Sequence, residues 1–449
     1  MATTYFNLSQ IEQETLLNEA SAQTGKSALI LEKDIWVCWA LKAVFELSQP
    51  MSFKGGTSLS KVYGLISRFS EDVDLTIDYQ AFMPTLDIHQ ASKTSLKKSS
   101  DMLKQSLKNY LSTTALPHLK TLLEKDNLGK KVELAMDEAG ETIFISYESA
   151  LSSRSAYIRN AVRLEFGARN TTSPNEQHVV TSDIASLFPD IQFPSATIQV
   201  LSPVRTFWEK ATLMHVECHR NRELETPERL SRHWYDLAKL GQSWVAEKAY
   251  RSPDIFEDVL SHKLAFYNAS YANYETCLKG HFVLIPNELN LNRLSIDYES
   301  MVNAAMFDAE IIPFQEILAQ VESIQNSINH AIAQEWVTLS STSLVTPGIK
   351  NGNNQAWFQA SLSSEIEGLL NSENDTLKKI GNYLDILSNQ QSDQLKKEAL
   401  SRELLELLTK GALRDPILSP LIRSAAPVFY QTAQAFFEKK QTHSQSLGR

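Results

Sequence analysis

The sequence has few cysteines, and their arrangement excludes a disulfide framework. Cys38, Cys218 and Cys277 are the three cysteines among 449 residues, and no two of them form a Cys-x-x-Cys pair. An odd number of widely spaced cysteines is typical of a reducing compartment and supplies no cysteine zinc site. Stability must therefore come from a buried apolar core, which a chain of this length can build.

Long apolar runs and a basic leader are also missing. The most apolar stretch, residues 30–45, is interrupted by Glu32, Lys33, Asp34 and Lys42, so it predicts no membrane-spanning helix. The first residues, MATTYFNLSQIEQE, lack the basic and apolar regions of a secretory signal. We therefore expect a soluble, cytoplasmic, globular protein that has no membrane partner.

An excess of positive charge is absent as well. Lys and Arg total 43 against 53 Asp and Glu, which gives a formal net charge of −10. A protein that binds nucleic acid non-specifically is usually basic overall, so such a partner would have to meet a local patch.

One lysine-rich segment, residues 87–133, is a candidate for such a patch. It has helical spacing and contains nine lysines: Lys93, Lys97, Lys98, Lys104, Lys108, Lys120, Lys125, Lys130 and Lys131. Two interpretations remain open, a solvated helical face or a basic surface that follows an RNA backbone. Five arginines would add to the second: Arg205, Arg220, Arg222, Arg229 and Arg232.

Changes in sequence pattern divide the chain into three segments. Residues 1–200 begin with helical spacing and then carry strand-like pieces, whereas residues 201–330 have mostly helical spacing. Residues 331–449 begin with a polar, turn-rich stretch and then return to helical periodicity. The pattern predicts an α+β fold followed by a helical domain and a mostly helical tail.

The first candidate for chemistry is a glycine turn. A short predicted strand, residues 51–54, runs into Gly55-Gly56-Thr57, and Thr57 or Ser58 can cap the helix expected next. A glycine turn at a helix start offers free backbone N–H groups and room for close approach, which suits a triphosphate.

The second candidate is the pair Asp72 and Asp74, which lies in an alternating segment typical of a half-buried strand. The two carboxylates then project from one face while Val73 and Leu75 enter the core. Neighbouring carboxylates repel each other unless a cation lies between them, and Mg²⁺ prefers such oxygen ligands. With the glycine turn, the pair predicts two-metal chemistry on a nucleoside triphosphate. For Asp-x-Asp alone, a solvated acidic edge strand is the alternative.

Four motifs in order resemble those of the AbiEii-type nucleotidyltransferase toxins of bacterial toxin–antitoxin and phage-defence systems. The glycine and paired-aspartate motifs lie in KGGTSLSKVYGLISRFSEDVDL, the lysine motif in FWEKATL and the downstream aspartate motif in RHWYDL. The resemblance covers about residues 15–330 and does not reach the tail. It implies a mixed sheet flanked by helices, with a catalytic domain at 1–200, a helical domain with the lysine and aspartate motifs at 201–330, and an extension of unknown role at 331–449.

The resemblance also implies nucleotide-binding and metal-binding residues. Gly55, Gly56 and Thr57 would hold the triphosphate, and Arg68 and Ser70 lie close enough in sequence to contact it or to position the strand. Asp72 and Asp74 would bind the metal ion. Glu165 in RLEFG is the expected third metal ligand, and a surface glutamate paired with Arg163 or Arg169 is its alternative.

The remaining motifs imply further catalytic residues beside Asp72 and Asp74. Lys210 would neutralise charge on the phosphates or orient the attacking group. Asp236 would act as a base or as the group that holds Lys210.

The function implied is a metal-dependent nucleotidyltransferase toxin that uses an NTP, with Mg²⁺ or Mn²⁺ as cofactor. An acceptor hydroxyl would attack the α-phosphorus in line and displace pyrophosphate. The acceptor implied is RNA, foremost the tRNA 3′ end, and a cognate antitoxin would restrain the enzyme. The alternatives are nucleotidylation of a protein or small molecule, and a catalytically silent binding module with the same fold.

A histidine pair is set apart from this site. His215 and His219 stand four residues apart on a predicted helix, which is the spacing of metal ligands, but Val216 replaces the glutamate of a zinc-protease motif. We therefore expect a structural or RNA-facing pair.

Overall fold

The computed structural model describes residues 3–70, 72–152, 159–220, 229–267, 269–304, 306–307, 311–336 and 378. The predicted helical extension at 331–449 lies almost wholly outside the described residues, as does Arg222. Within the described part of the chain, no helix has the length and apolar character needed to cross a membrane.

The described residues contain nine strands. They are β1 (Thr3–Thr4), β2 (Met51–Lys54), β3 (Asp72–Asp78), β4 (Val132–Met136), β5 (Thr142–Tyr147), β6 (Ala161–Asn170), β7 (Asn175–Thr181), β8 (Ile191–Gln192) and β9 (Ser195–Leu201).

Helices precede, interrupt and follow these strands. They are α1 (Gln10–Thr24), α2 (Ala28–Phe45), α3 (Gly55–Lys61), α4 (Lys93–Tyr110), α5 (Leu116–Lys125), α6 (Pro203–Cys218), α7 (Arg232–Gly241), α8 (Trp244–Tyr250), α9 (Pro253–Phe266), α10 (Tyr274–Cys277), α11 (Glu288–Asn303) and α12 (Phe314–His330). A π-helical turn, Leu111–Ala115, joins α4 to α5.

Seven strands form one mixed sheet in the order β4-β5-β6-β3-β2-β9-β7. The central strand β3 runs parallel to β6 and antiparallel to β2, and β2 is parallel to β9. The remaining pairs, β4–β5, β5–β6 and β7–β9, are antiparallel. The predicted α+β class with a mixed sheet flanked by helices is therefore confirmed.

The core lies between α2 and one face of this sheet. Val73 and Leu75 of β3 are 0% and 1% exposed and pack in one cluster with Trp36 and Trp39 of α2. Because side chains alternate along a strand, Asp72 and Asp74 project from the opposite face. Burial of the apolar face of β3 thus fixes the direction in which its acids point.

Two local predictions differ from the structure. α3 begins at Gly55, so neither Thr57 nor Ser58 caps it, and both side chains bond elsewhere. The edge strand β7 was not predicted, because its half-polar sequence NEQHVVT gives no clear alternation.

Residues Met1–Cys277 and His281–Ser327 form one compact unit, and the sheet lies within it. Of the described residues, 278–280, 328–336 and 378 belong to a second unit.

Candidate active site

The register of three neighbouring strands brings the predicted acids together. Asp74 of β3 is opposite Lys54 of β2 and opposite Glu165 of β6, so these three residues form one row across the sheet. In the adjacent row Asp72 is opposite Arg163. Side chains in one row of a sheet share a face, and Glu165 therefore lies beside the aspartate pair.

The glycine turn packs directly against these side chains. Gly55 has a φ of +77°, and a Cβ built on it would lie 1.9 Å from Oδ2 of Asp74. A Cβ on Gly56 would lie 2.5 Å from Nη2 of Arg68 and 2.9 Å from Oγ of Ser70. Both positions therefore require glycine, because the backbone must pass within contact distance of Asp74 and Arg68.

Thr57 connects the start of α3 to the start of β3. Its hydroxyl donates a hydrogen bond to the backbone oxygen of Asp72, and the hydroxyl of Ser70 lies 2.9 Å away. Thr57 is 3% exposed, so its side chain fixes the position of Asp72.

The lysine and downstream aspartate motifs meet Arg68 in a buried charge cluster. Nε and Nη2 of Arg68 each donate a hydrogen bond of 2.7 Å to Asp236, and Nζ of Lys210 donates another of 2.7 Å to Oδ2 of Asp236. Nδ1 of His233 lies 3.4 Å from the same Nζ. Asp236 is fully buried and Arg68 is 2% exposed.

The pKa values in this cluster follow from burial and from the neighbouring charges. Burial opposes the charged form of Asp236, but Arg68 and Lys210 outweigh it and hold the pKa of the carboxyl well below its usual range. Burial, aided by the nearby charge of Arg68, lowers the pKa of Lys210 although Asp236 opposes this shift. A carboxylate held so strongly in its charged form is suited to positioning Lys210. Of the two roles expected for Asp236, the geometry therefore favours holding Lys210 over acting as a base.

Two arginines contact the acids of β3 and β6. Nη1 of Arg232 lies 3.3 Å from Oδ2 of Asp72, and Nη1 of Arg163 lies 3.4 Å from Oδ1. Arg163 also forms an ion pair with Glu165. The surface alternative for Glu165 is therefore present too, since Glu165 pairs with Arg163 and its side chain is 34% exposed.

Three observations bear on whether these acids suit a divalent cation. Oδ1 of Asp72 is buried and accepts no hydrogen bond. Burial raises the pKa of Asp74, and burial together with the charges of Asp74 and Asp72 raises the pKa of Glu165 to about 7. Among the described residues, no three His, Cys, Asp or Glu side chains form a ready-made metal cluster. Mg²⁺ typically takes one or two carboxylates and completes its shell with substrate phosphates and water, and the Asp72–Asp74 pair suits that mode.

A second network, beside the row of acids, was missed by the sequence reasoning. Glu209 accepts hydrogen bonds from Nζ of Lys54 at 3.1 Å and from Nδ2 of Asn170 at 2.6 Å, and Nε of Arg205 lies 3.4 Å from its carboxylate. Lys54 and Arg205 hold the pKa of Glu209 far below its usual range against the effect of burial. Lys54 directly precedes the glycine turn and Glu209 directly precedes Lys210, and these positions are the signal that could have identified them.

The predicted basic surface is present only in part. Lys93, Lys97, Lys98 and Lys104 of α4 are exposed. Arg205 is 1% exposed because it lies in the network of Glu209, so its assignment to the surface was wrong. Arg232, which was also expected on the basic surface, contacts Asp72 and therefore lies in the site.

The histidine pair is structural within the described residues. His215 is fully buried, Nδ1 accepts a hydrogen bond of 3.0 Å from the backbone N–H of Val283, and Nε2 lies 3.3 Å from the carbonyl of Asn273. Nδ1 of His219 lies 2.8 Å from the carbonyl oxygen of His215.

The fold and the site together have the features expected of a nucleotidyltransferase, a mixed sheet with paired acids beside a glycine turn. Residues 39–320 match the family described as nucleotidyl transferase AbiEii toxin, type IV toxin–antitoxin system. The chain therefore belongs to the AbiEii nucleotidyltransferase toxin family, and the family predicted from the four motifs is confirmed. The comparison with curated proteins gave no match.

A search of solved structures found a similarity to MenT4, a nucleotidyltransferase toxin from Mycobacterium tuberculosis H37Rv. The match has 13% sequence identity and a TM-score of 0.32, and it covers 73% of this chain and 98% of MenT4.

Proposed function

We propose that this toxin transfers a nucleoside monophosphate from an NTP to the 3′ end of an RNA, foremost a tRNA, with the aid of a divalent cation. Family membership implies the NTP substrate and an antitoxin partner. The cation, the acceptor and the roles of individual residues are our proposal, as is a cytoplasmic site of action in phage defence.

The observation that supports this proposal best is the row formed by Asp74 and Glu165 next to Asp72. Asp72 and Asp74 would hold Mg²⁺ or Mn²⁺, and Glu165 would be the third ligand once Arg163 releases it. Such a cation, when bound, neutralises phosphate oxygens and lowers the pKa of an attacking hydroxyl.

The residues around the acids would bind and orient the triphosphate. Gly55 and Gly56 let the start of α3 pack directly against Asp74 and Arg68, so the backbone N–H groups of the glycine turn lie next to the acids, where they would bind phosphates. Ser70 would offer its hydroxyl group beside this turn, and Thr57, whose hydroxyl donates to the backbone oxygen of Asp72, would fix the strand that carries the acids. Preorganised donors of this kind stabilise charge that develops during transfer.

Lys210 would neutralise the charge of the leaving pyrophosphate. Its ammonium group is held by Asp236, which Arg68 fixes through two hydrogen bonds. Arg68 has little exposed surface with which to contact phosphate. We therefore propose that Arg68 and Asp236 are positioning residues that act through Lys210.

The exposed lysines of α4 support RNA as the acceptor, because they give an otherwise acidic protein a local basic surface. A nucleic acid can bind such a patch in spite of the net charge of −10. No comparable feature of the described residues favours a protein or small-molecule acceptor.

The test is to incubate the protein with each α-labelled NTP, Mg²⁺ and either total RNA or an RNA-free cell extract. We expect label at RNA 3′ ends with the wild type and with Asp190→Asn, an exposed control in the loop before β8, and none with Asp72→Asn. Label confined to protein bands would overturn the RNA acceptor, and equal labelling by Asp72→Asn would overturn the site.

A further inference from the structure

A second group of cations lies beyond the acids, where β6 ends. The guanidinium carbon of Arg169 lies 4.7 Å from the ring centre of Tyr267, and Nζ of Lys263 lies 4.9 Å from it. Tyr267 is 39% exposed, and the two cations are half-buried. The proposed mechanism uses none of these three residues.

A bulge in β6 lies at Arg169 and affects which neighbours the end of this strand contacts. Thr76 and Asp78 of β3 pair with Gly167 and Asn170, so β6 has one extra residue in between. Bulges redirect side chains. As a result Asn170 reaches Glu209 of α6, while the adjacent Arg169 reaches Tyr267 directly after α9.

Lys263 forms no ion pair with a carboxylate in the part of the chain that the structure describes. Among the ion pairs of the described residues, no Asp or Glu oxygen lies within 4.0 Å of its Nζ, whereas Lys54 and Arg205 both have acidic partners. Among the described residues, Arg169 forms one ion pair, a long contact of 3.4 Å to Glu141. Burial and the charges of Lys54, Arg205 and Arg169 lower the pKa of Lys263 to about 8, although Glu209 opposes this shift. An anion bound here would relieve this crowding of positive charge.

The group lies on the opposite side of the acids from the Arg68–Lys210 cluster. Ser70 and Arg68 precede Asp72 at the start of β3, whereas Arg169 lies beside the end of β3, four residues beyond Glu165 along β6. At about 3.3 Å per residue this separation is roughly 13 Å. Lys54 links the two regions, because it is opposite Asp74 in the sheet and its ammonium donates to Glu209. Glu209 in turn accepts from Asn170, the residue after Arg169.

This placement corresponds to the two ends of a phosphoryl transfer. The attacking and the leaving oxygen lie roughly in line on opposite sides of phosphorus. If Lys210 faces the leaving pyrophosphate, the acceptor approaches from the side of Lys263 and Arg169. A cation pair at that distance from the acids matches the backbone phosphates just upstream of a 3′-terminal hydroxyl.

We propose that Lys263 and Arg169, held in place by the Tyr267 ring, form a binding site for backbone phosphates of the acceptor RNA next to its 3′ end. This inference rests on the proposed function. The ring of Tyr267 acts as a positioning element through its two cation–π contacts.

The test measures binding of a fluorescent RNA hairpin with a single-stranded 3′ tail, without NTP, to the full-length protein. Lys263→Met and Arg169→Gln should each weaken binding about tenfold, since each removes a charged phosphate contact. Each should also make the plot of log affinity against log salt shallower by about 0.7. Lys263→Arg and Tyr267→Phe should bind like the wild type, and Tyr267→Leu should weaken binding.

Lys248→Met is the matched control, because Nζ of Lys248 also lies over an aromatic ring, 5.6 Å from the centre of Trp244. It should leave RNA affinity unchanged. Affinity for a non-hydrolysable NTP should be unchanged in all these variants, and circular dichroism would confirm their folding.

The failure of this inference is separable from that of the proposed function. Wild-type RNA labelling with unchanged RNA affinity in Lys263→Met and Arg169→Gln would overturn this site alone. A loss of NTP affinity in those variants would assign the cations to the triphosphate and would also overturn it. Wild-type protein that labels only protein would overturn the RNA acceptor and, with it, this inference.

Discussion

Arg68 and Asp236 form a two-point ion pair at the centre of the candidate active site. Nε and Nη2 of Arg68 each donate a hydrogen bond of 2.7 Å to a different oxygen of Asp236. Arg68 precedes the strand that carries the paired acids, and Asp236 lies in α7 next to Lys210 of α6. The pair therefore fixes the lysine relative to the acids.

Replacing Asp236 with Asn should destabilise the fold and stop nucleotide transfer. The change leaves Arg68 and Lys210 buried without a counter-charge, and breaking a buried ion pair in this way typically costs about 3–5 kcal/mol. Denaturant unfolding measures the first effect, and transfer of an α-labelled nucleotide measures the second. Asp190→Asn, an exposed change in the loop before β8, should alter neither quantity. Wild-type stability and activity in Asp236→Asn would contradict the assigned role.

Gly55→Ala should abolish nucleotide transfer, because the new Cβ would meet the Asp74 carboxylate at 1.9 Å. Gly64 provides a matched control. Its φ of +60° imposes the same type of backbone strain, about 1–2 kcal/mol for alanine, but a Cβ there meets no atom within 4 Å. We expect Gly64→Ala to lose stability only and to retain transfer. Equal transfer rates for the two variants would show that the close approach to Asp74 is unimportant.

The contribution of His215 to stability should fall as the pH falls from about 6.5 to 4, because burial lowers the pKa of His215 to about 4. In this range the unfolded chain binds a proton that the folded chain excludes, so protons favour unfolding. The shift corresponds to a loss of about 3 kcal/mol. The free energy of unfolding at pH 7 and pH 4.5 measures it. His215→Gln should lose this part of the pH dependence, and His89→Gln, an exposed change, should keep it. An unchanged slope in His215→Gln would contradict the assignment.

Removing the chain from about residue 350 should leave NTP binding intact. The residues assigned to the site lie between Lys54 and Tyr267, within the compact unit of Met1–Cys277 and His281–Ser327. Titration with a non-hydrolysable NTP compares the shortened and full-length proteins. A loss of binding by folded, shortened protein would show that the tail completes the site.

Local sequence signals predicted those parts of the site that depend on a single element. Alternation along β3 was enough to place Asp72 and Asp74 on one face, because Val73 and Leu75 need the core. The glycine turn could also be predicted from the sequence, because the structure requires glycine so close to Asp74.

Features that depend on how distant segments pair were not predictable from such signals. The sequence did not decide whether Glu165 is a metal ligand or a surface residue, because the register of β6 against β3 depends on residues far apart in the chain. Arg68 and Asp236 are 168 positions apart, so no local sequence pattern indicates their contact. Lys54 and Glu209 were missed for the same reason, although each adjoins a motif.

The central claim is that Asp72 and Asp74 together hold a divalent cation beside the nucleotide. Electron paramagnetic resonance of Mn²⁺ in the presence of a non-hydrolysable NTP measures this binding directly. We expect tight Mn²⁺ binding to the protein–NTP complex with the wild type and with Asp190→Asn, and a loss of at least tenfold in Asp72→Asn and Asp74→Asn. Unchanged Mn²⁺ affinity in both site variants would contradict the account.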